Sequence, residues 1–97
     1  MYVQLTSAID EYRYNYMSFN EKIEELNKPD TNVFVQIESL KEASELVRKF
    51  VKKFNLTSSN FTGGEIVDEN FNFMARISYN GRAWDNKDYK KSKEIIL

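Results

Sequence analysis

The dipeptide Asn80-Gly81 stands between two runs in which apolar and polar residues alternate, and this arrangement limits the fold more than any other feature. Asn and Gly tolerate the positive φ angles of a tight reversal, so flanking alternation reads as a β-hairpin. Before the turn, Phe71, Phe73, Ala75, Ile77 and Tyr79 make one set, with Asn72, Met74, Arg76 and Ser78 between them. A two-residue turn predicts the pairs Tyr79–Arg82, Ile77–Trp84 and Arg76–Asp85. In that register Ile77 and Trp84 share the core face, and Arg76 meets Asp85 on the other.

Upstream, the periodicity changes. Leu5, Ile9, Tyr12, Tyr16, Phe19, Ile23 and Leu26 recur at three- and four-residue intervals from Ile9 onward, which predicts a first helix over about 8–27. Ser7 with Asp10 three residues later resembles a capping box, and Asn27-Lys28-Pro29 ends the helix because the residue before proline leaves the α region. The alternation of Val33, Val35 and Ile37 predicts a strand over about 32–38. Ser39 and Glu42 form a full capping box for a second helix reaching about residue 54. Its buried stripe is Leu40, Ala43, Val47, Phe50 and Phe54, and Asn55 suits the left-handed C′ position. A polar stretch from Thr57 to Gly64 leads to a short strand at Ile66-Val67. The expected architecture is α+β: two helices on one face of a mainly antiparallel sheet of about four strands, in the order α-β-α-β-β-β. Residues 1–97 read as a single domain, with 86–97 a tail or an extra edge element.

Composition closes off most chemistry. The chain has no cysteine and no histidine, which removes disulfides, the usual zinc, copper and iron sites, and Ser-His or Cys-His nucleophile pairs. No P-loop, dinucleotide fingerprint, EF-hand or nucleophile elbow is present. Glu24-Glu25 and Asp68-Glu69 are neighbours in sequence, so their carboxylates diverge rather than face each other. The expectation is a protein that is not an enzyme, with no catalytic residue, cofactor or metal. No apolar run approaches the roughly 20 residues of a membrane span and no leader is visible, so the expected location is cytoplasmic. The net charge of −1 conceals an asymmetry: residues 1–45 carry nine acids and four bases, residues 46–97 ten bases and six acids.

Two surfaces compete as contact sites. If the stripe of the first helix fills the core, Asp10, Tyr14, Met17, Glu21 and Glu24 point outward, an exposed Tyr and Met framed by acids. The blander reading is a solvated charged face. The stripe itself permits a dimer seam, although a core role suits it better, so monomer and homodimer stay open. The second surface is the hairpin, where Tyr79 and Arg82 have the chemistry to stack on a base or a partner side chain. Arg48, Lys49, Lys52, Lys53 and the lysines of 87–93 add positive charge to that half.

Abundant Asn, Lys, Ile, Tyr and Phe look like the product of an AT-rich bacterial or phage genome. Gly63-Gly64-Glu65 followed by Ile77-Ser78-Tyr79-Asn80-Gly81-Arg82-Ala83-Trp84 resembles the tails of small accessory proteins from phages and mobile elements of low-GC Gram-positive bacteria. The resemblance covers about a third of the chain and transfers no functional residue. It implies a class of compact proteins, anti-CRISPR inhibitors among them, that bind a host protein or protein–RNA complex inside the bacterial host, several of them through acidic faces. The leading expectation is therefore a non-enzymatic inhibitor or modulator working through the first helix. The alternatives are a nucleic-acid-binding regulator using the basic C-terminal half, and a homo-oligomeric structural protein.

Overall fold

The computed structural model describes residues 1–9, 11–26 and 31–97, with the side chains of Glu11 and Tyr12 set aside. Its elements are β1 (Tyr2–Ser7), α1 (Glu11–Tyr14), α2 (Phe19–Leu26), β2 (Thr31–Gln36), α3 (Leu40–Lys53), β3 (Glu65–Val67), β4 (Phe73–Ile77), β5 (Ala83–Trp84) and β6 (Glu94–Ile95). The six strands form one sheet in the order β2-β1-β3-β4-β5-β6, and every pairing is antiparallel. The α+β class holds. The strand number and the element order differ from the expected α-β-α-β-β-β.

The largest difference lies at the N-terminus. Tyr2-Val3-Gln4-Leu5-Thr6-Ser7 is a strand in the interior of the sheet, paired with β2 along its whole length and with β3 at Tyr2 and Val3. Val3, Leu5 and Ser7 are buried in alternation, a period-two pattern that the helical stripe through Leu5 obscured. Ser7 closes β1 opposite Thr31. Asp10, its proposed capping partner, lies outside the described residues, as does the expected proline stop at 27–29.

The single first helix is corrected to two. Tyr16 and Met17 donate their N–H groups to the carbonyls of Arg13 and Tyr14, a turn that ends α1. Ser18 then opens α2: its hydroxyl accepts the Glu21 N–H at 3.3 Å and donates to Glu21 Oε1 at 2.9 Å. The hydroxyl caps the first turn of the helix, and the carboxylate of Glu21 holds it in place. The restart breaks the heptad phase and inverts the expected burial. Tyr16 is 78% exposed, Phe19 77%, Ile23 46% and Leu26 56%, whereas Glu25 is 5% exposed. Glu25 Oε1 accepts from Asn60 Nδ2 at 2.6 Å, and the same amide donates to the Ala8 carbonyl at 3.1 Å. The polar side of α2 is thus the anchored side.

α3 behaves as its sequence requires. Ser39 Oγ accepts the Glu42 N–H at 3.1 Å, and Glu42 Oε2 accepts the Glu38 N–H at 3.1 Å. At the other end Leu56 N–H reaches the Val51 carbonyl and Asn55 N–H the Lys52 carbonyl, with Asn55 at φ 51°. That is a Schellman motif with Asn in the left-handed position. Ala43 and Val47 are fully buried against Val3, Leu5, Ile66, Ala75, Ile77 and Ala83 of the sheet. Among the described residues, α3 is the helix that supplies the core, where two had been expected.

The opposite sheet face carries Tyr2, Gln4, Thr6, Phe34, Arg76 and Trp84, all half-buried or exposed. Phe71 joins it from the β3–β4 turn, stacked on Tyr2 at 5.8 Å and edge-on to Phe34 at 5.5 Å. Its backbone sits at φ 62°, uncommon for an aromatic residue. Asp68 holds that turn by accepting the N–H groups of Asn72 at 2.9 Å and Asn70 at 2.8 Å.

Two measurements check this account. Leu5→Ala should lower the unfolding free energy in urea by about 3 kcal/mol, whereas Leu26→Ala, the same truncation on α2, should cost about 0.5 kcal/mol or less; comparable losses would contradict the inversion. Hydrogen bonds from the Asn72 backbone first, then Asn70, hold the Asp68 carboxyl below the usual aspartate value. Its contribution is complete above the unfolded pKa and is lost as pH falls through the lower folded one. Amide exchange at Asn70 and Asn72, corrected for intrinsic rates, should therefore lose protection in acid in the native chain, and Asp68→Asn should remove that pH dependence.

Candidate functional site

The site begins with the hairpin register. Arg76 pairs with Trp84 and Ile77 with Ala83, so the expected pairing is one residue out on the second strand. Gly81 N–H donates to the Ser78 carbonyl and Ser78 N–H to the Arg82 carbonyl, which makes a three-residue loop with Gly81 left-handed at φ 86°. A shift of one residue exchanges the faces of a strand. Ala83, fully buried, takes the core position, and Trp84 turns to the open face.

The cause is the nearness of α3. The buried Ser44 hydroxyl donates to the Gly81 carbonyl at 2.5 Å, and a Cβ on Gly81 would stand 2.6 Å from Arg48 Cδ. A helix this close leaves room for a methyl group at position 83 and none for an indole. The hairpin tip is thereby clamped to the basic turn of α3.

On the open face Trp84 is held at two points. Its Nε1–H donates to Ser78 Oγ at 3.1 Å, and the Arg76 guanidinium carbon lies 5.7 Å from the ring centroid. Arg76 is itself fixed by the Asn86 carbonyl at 3.4 Å and Ser92 Oγ at 3.2 Å. Residues 85–93 form a hydrogen-bonded loop in which Asp85 N–H meets the Lys93 carbonyl and Asp85 Oδ1 accepts the Lys93 N–H. β6 then pairs with β5. Arg82 stays 64% exposed beside Glu94, with its Nε 3.5 Å from Oε1.

Two grooves meet at the hairpin tip. One, of about 560 Å³, runs along α3 past Arg48, Lys49 and Lys52 and includes Glu45. The other, of about 850 Å³, is lined by Arg76, Arg82, Trp84 and Tyr89. Tyr79 and Asn80 line both. The lining thus holds five cations, the carboxylate of Glu45 and the rings of Phe61, Tyr79, Trp84 and Tyr89, with Glu94 beside Arg82, in a chain whose net charge is −1.

The residues singled out in sequence divide between this belt and another place. Tyr79 and Arg82 belong to it, together with the α3 cations. Tyr14 and Met17, expected to be exposed, are half-buried, and the Lys22 ammonium lies 5.4 Å from the Tyr14 ring. Met17, Glu21 and Glu24 line a separate cleft with Arg13, Lys53 and Asn55, between α2 and the end of α3. Glu21 also serves in the Ser18 cap. Asp10 lies outside the described residues. Trp84 and Tyr89 were missed as site residues. The hairpin signal is the same for two- and three-residue loops ending in Asn-Gly, so the face of Trp84 depended on the position of α3.

Several other acids have structural duties. Asp68 caps its turn, Glu69 pairs with the N-terminal ammonium at 3.1 Å, and Glu25 is bonded to Asn60. Among the described residues, no cluster of metal-ligating side chains occurs and no helix is long and apolar enough to cross a membrane. No family model matches the chain, and no significant match was found to a curated protein or to a solved structure.

Proposed function

We propose that this chain is a non-enzymatic, nucleic-acid-binding regulator whose contact surface is the belt around Tyr79. The observation that supports it is the joining of two grooves at Tyr79 and Asn80, with five cations among the lining residues against Glu45 in the groove and Glu94 beside Arg82. Such a surface suits a polyanion, whose phosphates release counterions as they meet Lys and Arg. The interleaved rings add a means of holding bases that a purely charged patch lacks. In sequence the acidic first helix had the stronger claim; the placement of Tyr79 beside Arg48, Lys49 and Lys52 favours the basic half.

A protein partner is the second reading. The exposed Phe19, Ile23 and Leu26 of α2, with Tyr16 in the turn before it, favour it, because a patch of exposed apolar side chains is a common mark of a docking face. Its narrower form is an inhibitor or modulator of a host protein or protein–RNA complex, of the anti-CRISPR type. Phe19→Ser with Ile23→Ser should abolish capture of that host partner in affinity purification while the fold is retained; undiminished capture of the same partner would set this reading aside.

The primary reading is checked by anisotropy with labelled oligonucleotides over a range of salt. Native protein should bind at low ionic strength, with affinity falling linearly on a logarithmic salt scale. Lys49→Glu with Lys52→Glu should weaken binding and reduce that slope by roughly 1.5, since each phosphate contact contributes about 0.7–0.9. Binding unaffected by these changes would remove the belt as the site.

A further inference from the structure

We infer that the belt takes a single strand rather than a duplex, with one unpaired base laid in the larger groove against Trp84 and its flanking phosphates at Arg82 and along α3. This inference rests on the nucleic-acid reading above. Its first support is the state of the Trp84 ring. The one polar atom of the indole is already satisfied by Ser78 Oγ, and the Arg76 guanidinium lies over one face of the ring, which leaves the other face for a ligand. What the residue has left to offer is π surface, already oriented, so little side-chain freedom is lost when a flat ligand arrives.

The second support is Tyr89. Its backbone is fixed in a turn where Asp88 Oδ1 accepts the Lys90 N–H at 2.9 Å and the Asp88 carbonyl accepts the Lys91 N–H at 3.0 Å. Its side chain is nonetheless 84% exposed and lines the same groove as Trp84. An aromatic ring left in water on a fixed turn, beside an oriented indole, makes a two-sided seat for a planar group. The groove volume of about 850 Å³ falls within the range of small-molecule sites and admits a nucleotide.

The third support is the charge arrangement. Arg82 lies in the larger groove, and Arg48 and Lys52, one helical turn apart, lie in the smaller. Tyr79 and Asn80 line both, so a backbone leaving the Trp84 seat reaches the α3 cations by rounding the hairpin tip. A base inside a duplex is stacked and paired and cannot enter such a seat without first leaving its helix.

Trp84 is the only tryptophan of the chain, so its emission reports on this groove alone. The test is a fluorescence titration of the full chain with three probes: an oligothymidylate of about twelve nucleotides, a duplex of equal length, and thymidine 5′-monophosphate. The strand should quench Trp84 saturably and bind about tenfold more tightly than the duplex, and the mononucleotide should bind far more weakly than either. Tyr89→Ala, at an exposed position where the fold is indifferent, should weaken strand binding about tenfold and leave duplex binding unchanged. Trp84→Phe, followed by anisotropy, should retain more strand affinity than Trp84→Leu. Equal binding of strand and duplex without quenching would overturn the single-strand inference while leaving the nucleic-acid reading in place. A mononucleotide as tight as the strand would overturn it too, assigning the groove to a free nucleotide. Binding of none of the three would remove both.

Discussion

The hairpin half of the molecule depends on one close approach, that of Gly81 to α3. The Ser44 hydroxyl reaches the Gly81 carbonyl, and the Arg48 stem occupies the space where a side chain would begin. Glycine supplies both the positive φ and the missing Cβ that the contact needs. With the helix this near, the core at position 83 accepts alanine, the register follows, and the indole is sent to the far face. The same clamp brings Tyr79 and Asn80 beside the basic turn of α3, so that two shallow grooves become one continuous surface. A packing constraint in the core thus arranges a charge and ring pattern on the outside.

A different competition decides the N-terminal half. A continuous helix over 8–27 would bury its apolar stripe, yet the Ser18 hydroxyl caps the Glu21 N–H and restarts the helix at Phe19. The buried carboxylate of Glu25 then has to be compensated, because an unpartnered polar group in the interior costs about 1–3 kcal/mol. Asn60 provides that compensation and ties α2 to the exit of β1. Anchoring α2 by its polar side leaves Phe19, Ile23 and Leu26 facing water, which is why this helix presents apolar surface although its sequence pattern is that of a core element.

How much of this was legible in sequence varies with the range of the forces involved. α3 could be read almost residue by residue, from the Ser39 cap to the left-handed Asn55, because capping and amphipathic burial act within a few residues. The strand near Val33 and Val35 and the existence of the hairpin were legible for the same reason. β1 was not: Leu5 fits a helical stripe and a strand alternation equally well, and only the pairing of Tyr2–Ser7 with Gln36–Thr31 decides between them. The one-residue register of the hairpin was likewise hidden, since it turns on the distance between Gly81 and Ser44, residues 37 positions apart. Tyr79 and Arg82 were recognisable as site residues by chemical type. Trp84 was not, because the expected two-residue turn placed it on the core face.

The position of β1 within the sheet has a consequence for how the chain reaches its fold. Its partner on one side is complete by Gln36, but its partner on the other begins only near Asn60 and Phe61 and continues into β3. Tyr2 must therefore wait for Val67, and closing so long a stretch of chain precedes any gain from the contact. As the protein emerges during synthesis, the β1–β2 ribbon can form early with one flank still unpaired. The interior of the sheet is sealed only when the β3–β4 segment arrives, which makes assembly of this small domain late and concerted.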